Sequence, residues 1–230
     1  MRLATLQCLA VAVMLVPGVT EIEAQTKMAP LDQYLMADRN AEIDLARSAA
    51  PESISGEAEV MILTPRGYET AVNGRNGFVC LVERAWMAPA DSAEFWNSKI
   101  RGANCYNPIA VRSMLPMIQK RTRMALAGLP RAEIFARLKT AYAAKELRPP
   151  EPGAMCYMMS KQAYLTDDGS HNLAHVMIFT PILSGTNWGA DLPNSPIAVV
   201  VQGNAAEPYT LFIIAVSRWS DGSPVQTMHH

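Results

Sequence analysis

A set of helix breakers in the middle of the chain limits what it can become. Asn107-Pro108 is a helix start, because asparagine can cap free backbone N–H groups and proline fits the first helical position without losing a bond. Gly128 is a helix end, Pro130 a second start, and Pro149, Pro150 and Pro152 a final stop. The pattern predicts one helix from Asn107-Pro108 to about Ala127, kinked at Pro116. A second runs from Pro130 to about Leu147 and buries Ile134, Leu138 and Tyr142. Two helices so closely joined form a helical hairpin.

Strand patterns flank this hairpin on both sides. Before it, Pro30 to Ala49 carries an apolar stripe of Leu31, Leu35, Leu45 and Ala46, which reads as one helix or two, stopped by Pro51. Glu57 to Thr64, Glu69 to Val72 and Gly77 to Trp86 read as strands, with Pro65-Arg66-Gly67 and Asn73-Gly74 as turns, the latter a strong hairpin signal. In the third strand Phe78, Cys80 and Val82 point one way, Val79, Leu81 and Glu83 the other. This block is expected to be an antiparallel meander. Asp91 to Trp96 reads as a helical turn. After the hairpin, Ala154 to Ser160, His175 to Pro181, Ile197 to Gln202 and Tyr209 to Val216 read as strands, the last two joined through Gly203 to Pro208. Strands, helices, then strands predict an α+β fold, a mainly antiparallel sheet with an N-terminal helix and a central helical hairpin.

The N-terminus has the form of a secretory signal peptide: Arg2, an apolar run from Leu3 to Val19, and a small residue before a polar one at Ala24-Gln25. Residues 1–24 are therefore expected to be cleaved, and nothing later is long and apolar enough to span a bilayer. Residues 25–220 are expected to form a single domain and residues 221–230 a loose tail. Half of the residues are hydrophobic, 18% are charged and the formal net charge is −1, so no global field recruits nucleic acid or an anionic membrane. Cys80, Cys105 and Cys156 survive export. An oxidising compartment makes one disulfide possible, with the pairing open and the Cys80 to Cys105 loop the shortest.

Four strings, Leu45-Ala46-Arg47-Ser48-Ala49-Ala50-Pro51, Gly77 to Arg84, Gly153 to Lys161 and Trp219-Ser220-Asp221-Gly222, resemble those of a group of uncharacterised exported bacterial proteins. The resemblance spans most of the mature chain. It implies export and a single domain and lends no catalytic residue.

Polar chemistry gathers between Tyr164 and Pro181. Asp167, Asp168, His171 and His175 meet there, and Trp188 follows in the loop Gly185 to Ala190. On a helix, His171 and His175 could grip one divalent metal with an aspartate. Asp168-Gly169-Ser170 is turn chemistry, however, and in an extended strand the same spacing separates the two Cα atoms by about 13 Å. Met155, Cys156, Met158, Met159 and Met177 offer softer ligands of the kind that favour Cu(I), but pleating divides them between two faces. Neither Ser160-Lys161 nor Ser170-His171 forms a dyad, since neighbours on a strand diverge. Arg112, Lys120, Arg121 and Arg123 read as a solvated basic helix face.

Two functions are compatible with these residues. One is a secreted or periplasmic, non-enzymatic domain without a cofactor, binding a small molecule or an envelope or extracellular component at a rim of Asp167, Asp168, His171, His175 and Trp188. The alternative is a metal-dependent hydrolase using His171, His175 and an aspartate.

Overall fold

The computed structural model describes residues 27–167 and 173–225. The expected signal peptide, Asp168, His171 and residues 226–230 lie outside them. The first helical stretch divides into a 3-10 turn, Leu31–Gln33, and helix α1, Arg39–Arg47. Asp38 starts α1 by accepting hydrogen bonds from the N–H groups of Asn40 (2.8 Å) and Ala41 (3.3 Å). A short helix α2, Glu52–Ser55, follows Pro51.

The strands are β1 (Glu59–Thr64), β2 (Gly67–Val72), β3 (Val79–Glu83), β4 (Gly102–Tyr106), β5 (Met155–Met158), β6 (His175–Pro181), β7 (Ile197–Gln202) and β8 (Tyr209–Ala215). They form one sheet in the order β2-β1-β3-β4-β5-β6-β8-β7, antiparallel except between β1 and β3. The fold is α+β with a mostly antiparallel mixed sheet. The meander expected at its start is corrected: the tight hairpin turn joins β1 to β2, and the chain then crosses the end of β1 to place β3 parallel on its far side. Glycine permits the crossing. A Cβ on Gly74 would sit 2.1 Å from the backbone nitrogen of Glu59, and the loop is tied down by Arg75 N–H to Glu57 O (2.8 Å) and Asn76 Nδ2 to Ile54 O (2.7 Å). Strand β4, which sequence patterning misses, is entirely buried. Gly-Ala-Asn-Cys-Tyr has no β-branched residue, so its pairing with β3 and β5, and not local preference, makes it a strand.

The helical hairpin forms as expected. Asn107 caps α3 (Pro108–Ser113) through Ala110 N–H at 2.8 Å, and the chain breaks at Met114 just before Pro116. Helix α4 (Leu115–Leu126) ends at Gly128, where φ is +73°, and α5 (Arg131–Ala143) returns along it. Helix α1 covers one face of the sheet, where Ile43, Leu45 and Ala46 pack against Val60, Cys80, Val82, Ala103 and Cys105. The hairpin covers the other, where Ile118, Ile134 and Leu138 join Leu81, Tyr106 and Met177 in the larger core. The expected alternation along β3 is thereby observed. Cys80 and Cys105 are cross-strand partners and form a buried disulfide, leaving Cys156 buried and free.

Two buried ion pairs lock this framework. Glu42 of α1 accepts from Arg84 Nη2 (2.8 Å) and from the Leu63 N–H (3.1 Å), while Arg84 Nε donates to Tyr34 O (2.6 Å). Arg121 of α4 pairs with Glu207 at 3.2 Å and lies over the rings of Phe135 and Phe95, 4.5 and 5.5 Å from their centroids. The solvated basic face expected for α4 is thus corrected at Arg121, which is fully buried. Its position three residues after Ile118 and four before Ala125 sets it on the helix's apolar stripe. The tail expected to be loose from residue 221 is, through residue 225, a turn: Trp219 N–H donates to Ser223 O, and Lys161 pairs with Asp221 at 2.9 Å. Among the described residues no helix is long and apolar enough to cross a membrane.

Candidate functional site

The helices cover the sheet unevenly. Helix α3 reaches β4 and β5, and α4 lies against β2 and the turn after β3. Beside them, between the α3–α4 junction and β6, β8 and β7, lies a half-open cavity of about 260 Å3. Period-two alternation supplies its floor. His175, Met177 and Phe179 come from β6, Tyr209, Leu211 and Ile213 from β8, and Tyr106 and Asn104 from β4. Its roof comes from Met114, Met117 and Ile118 at the helix junction and from Met87, Ala88 and Pro89 after β3. Five methionines line it, giving apolar, polarizable walls that adapt to shape. At one end stand the partly exposed Glu94, Leu165, Thr166 and Leu173, and at the other Val200 and Glu207. Gly102 keeps the first end clear, since a Cβ there would lie 3.1 Å from Met158 Cε and 3.5 Å from Leu165 Cδ2.

Few polar groups interrupt the lining, and Glu83 is the most unusual of them. It ends β3 on the same face as Leu81, so strand geometry aims its carboxyl into the cavity. The Tyr106 hydroxyl donates to Glu83 Oε1 at 2.5 Å, and among the described residues no cation pairs with it. Enclosure by protein raises the Glu83 pKa to about 7; the Tyr106 hydrogen bond and the more distant Arg121 oppose the rise without cancelling it. Glu83 is half-buried, and its remaining surface lines the half-open cavity. Burial likewise holds the Tyr106 and Tyr209 hydroxyls and the Cys156 thiol well above their ordinary values, so all three stay neutral near pH 7.

The residues singled out in the sequence occupy different places. His175 is buried in the cavity wall, its Nδ1 2.9 Å from the Leu173 carbonyl. Asp167 lies at the surface, where it accepts hydrogen bonds from Tyr164 Oη (2.5 Å), Asn97 Nδ2 (3.1 Å) and Lys99 Nζ (3.4 Å). The Tyr164 hydrogen bond leads in holding its carboxyl below the usual range, and the contacts pin the 164–167 segment to residues 97–99. Trp188 stacks on Phe212 at 4.6 Å with planes 8° apart. Phe212 sits between Leu211 and Ile213, which face the cavity, so Trp188 lies on the opposite side of the sheet from His175. Asp168 and His171 lie outside the described residues. Among those described, no group of three or more His, Cys, Asp or Glu side chains is arranged to hold a metal ion.

Sequence reasoning passed over Glu83 and Tyr106. The signal was present in the alternation, which puts an acid on the inward side of the best strand in the first half, in line with Val79 and Leu81. Comparison with known proteins adds no assignment: no family model matches the chain, and neither a curated protein nor a solved structure matches it significantly.

Proposed function

We propose that this protein is an exported, non-enzymatic binding domain that holds one small, largely apolar molecule in the cavity between the sheet and the helical hairpin. The observation that carries this reading is the cavity itself. At about 260 Å3 it is larger than the ~150 Å3 engineered cavity that suffices for benzene. Apolar walls with a few convergent polar groups are the usual form of a small-molecule site. The binding site proposed here therefore adjoins the Tyr164 to Pro181 stretch, shares His175 with it, and leaves Trp188 aside. Export accords with the buried Cys80–Cys105 disulfide, which persists in an oxidising compartment.

Titration with the fluorescent apolar probe N-phenyl-1-naphthylamine tests this. One probe should bind per folded chain, and Ile213→Trp, which fills the cavity from β8, should weaken binding at least tenfold while the circular dichroism spectrum is kept. Undiminished binding in that variant would place the probe elsewhere and end the proposal. Elemental analysis addresses the hydrolase alternative: one equivalent of metal, lost in His175→Ala, would overturn the non-enzymatic reading.

A further inference from the structure

We infer that the natural occupant of the cavity is a cationic amphiphile, an apolar body bearing an ammonium group that sits between the Glu83 carboxylate and the aromatic rings of Tyr106, Phe179 and Tyr209. The inference rests on the cavity being a binding site and names the chemistry of what it binds.

Charge pairing supplies the first argument. Three acids sit in or beside this region, Glu42 and Glu207 buried and Glu83 half-buried. Glu42 has Arg84 and Glu207 has Arg121, each within ion-pairing distance. Among the described residues Glu83 has only the Tyr106 hydroxyl, and its neighbour Arg84 is committed to Glu42. An acid enclosed without a cation is costly unless something else neutralises it, either a proton or a ligand. With a pKa of about 7, Glu83 is poised between those two outcomes near neutrality.

The aromatic rings supply the second, independent argument. Tyr106 and Phe179 lie 6.2 Å apart between centroids, as do Phe179 and Tyr209, and all three line the cavity beside Glu83. Ring faces attract cations within about 6 Å, and clustered rings are a recurrent device for holding ammonium groups. Elsewhere in the core the protein provides its own cation: Arg121 covers Phe135 and Phe95. Among the described residues none covers Tyr106, Phe179 or Tyr209. A fatty acid would set a second carboxyl group against Glu83, and a neutral alcohol would leave the rings and the carboxylate without a charge partner. The aliphatic and methionine walls then take the apolar body, as they would for any of the three.

Decyltrimethylammonium, decanol and decanoate, used below their aggregation concentrations, separate these cases by calorimetry at pH 8. The ammonium should bind at least tenfold tighter than the alcohol, and decanoate the most weakly. Glu83→Gln should bring the ammonium-to-alcohol ratio to within threefold of unity. Equal binding of ammonium and alcohol to the wild type, or a preference that survives Glu83→Gln, would overturn the inference and leave the cavity reading intact. Failure of all three probes to bind would instead count against the cavity reading itself.

The pH dependence provides a second check. Groups facing Glu83 are Tyr106 on β4, Tyr68 on β2, Cys156 on β5, Tyr209 on β8 and Arg121 on α4, with His175 of β6 in the same wall. Burial keeps the tyrosines and the thiol neutral from pH 5 to 8, while Glu83, with a pKa of about 7, changes charge there. As Glu83 takes up its proton, the ammonium preference should fall at least fivefold from pH 8 to pH 5. Flat wild-type behaviour would overturn the inference, and so would an unchanged slope in Glu83→Gln, which would assign the effect to another group.

Discussion

The two halves of the sheet are built by opposite rules. From β2 to β4, both faces are covered, α1 on one side and the helical hairpin on the other, and the layers are fastened by the disulfide and the Glu42–Arg84 pair. From β5 to β8, one face looks into the cavity, and on the other Val176, Ile178 and Ile214 stay half-exposed beside the Trp188 loop. Charge follows the same division. Between Leu173 and Ser217 only Asp191 and Glu207 are charged, and Glu207 is buried against Arg121. The first half spends its polar groups on holding the fold together. The second keeps an apolar space, into which the first half points one acid, Glu83 of β3, that has no cation partner among the described residues.

If this division is correct, the largest effect of a single substitution belongs to the sealed half. Arg84→Ala strips the buried Glu42 of its counter-ion and of the bridge from α1 to the sheet. Loss of one partner from a buried pair costs about 3–5 kcal/mol, which urea denaturation would read as a large fall in midpoint. Replacing both members by apolar residues, Glu42→Leu with Arg84→Met, should cost much less, because no charge is stranded. An Arg84→Ala variant as stable as the wild type would show that the first half is not locked by this pair.

Much of the architecture was legible in the sequence because local rules fix it. Asn107-Pro108 and Gly128 bound a helix in isolation as they do in the fold, and alternation along β3 sorted Cys80 and Val82 from Val79 and Leu81 before any neighbour was known. What could not be read depends on distant partners. Whether β3 lies beside β2 or β1 is decided by a six-residue crossing whose glycine looks like any other turn glycine. Strand β4 has no local strand preference and owes its existence to its neighbours. Arg121 reads as a solvated cation until Glu207, far along the chain, is seen to meet it. The cavity is the extreme case: an empty space leaves no residue pattern of its own, and only Glu83, an acid on an inward-facing row, hinted at it.

Glu83 also gives the comparison a pH signature. Its folded pKa, about 7, lies above the ordinary carboxyl value because burial disfavours the charged form. The folded state therefore holds more protons than the unfolded state between the two values, and stability must fall as pH rises through that window. The contribution is complete below the unfolded pKa and lost above about pH 7. Allowing for water in the cavity, the loss amounts to about 2 kcal/mol. Glu83→Gln removes the titration and keeps an acceptor for the Tyr106 hydroxyl. It should be more stable than the wild type at pH 8, by about this amount, and nearly equal to it at pH 4. A gain of the same size at both pH values would mean that the carboxyl is not titrating in the fold.

The smallest effect separates the two faces of the open half. Trp188 is 37% exposed and contributes chiefly through its stack on Phe212, an interaction worth about 1 kcal/mol beyond the area it covers. Trp188→Ala should therefore lower stability modestly. Because the sheet stands between Trp188 and the cavity, naphthylamine affinity should change less than twofold, in contrast to the tenfold loss expected from Ile213→Trp. A variant that stays stable yet loses the probe would join the two faces into one site, and the binding surface would then have to include the loop that precedes β7.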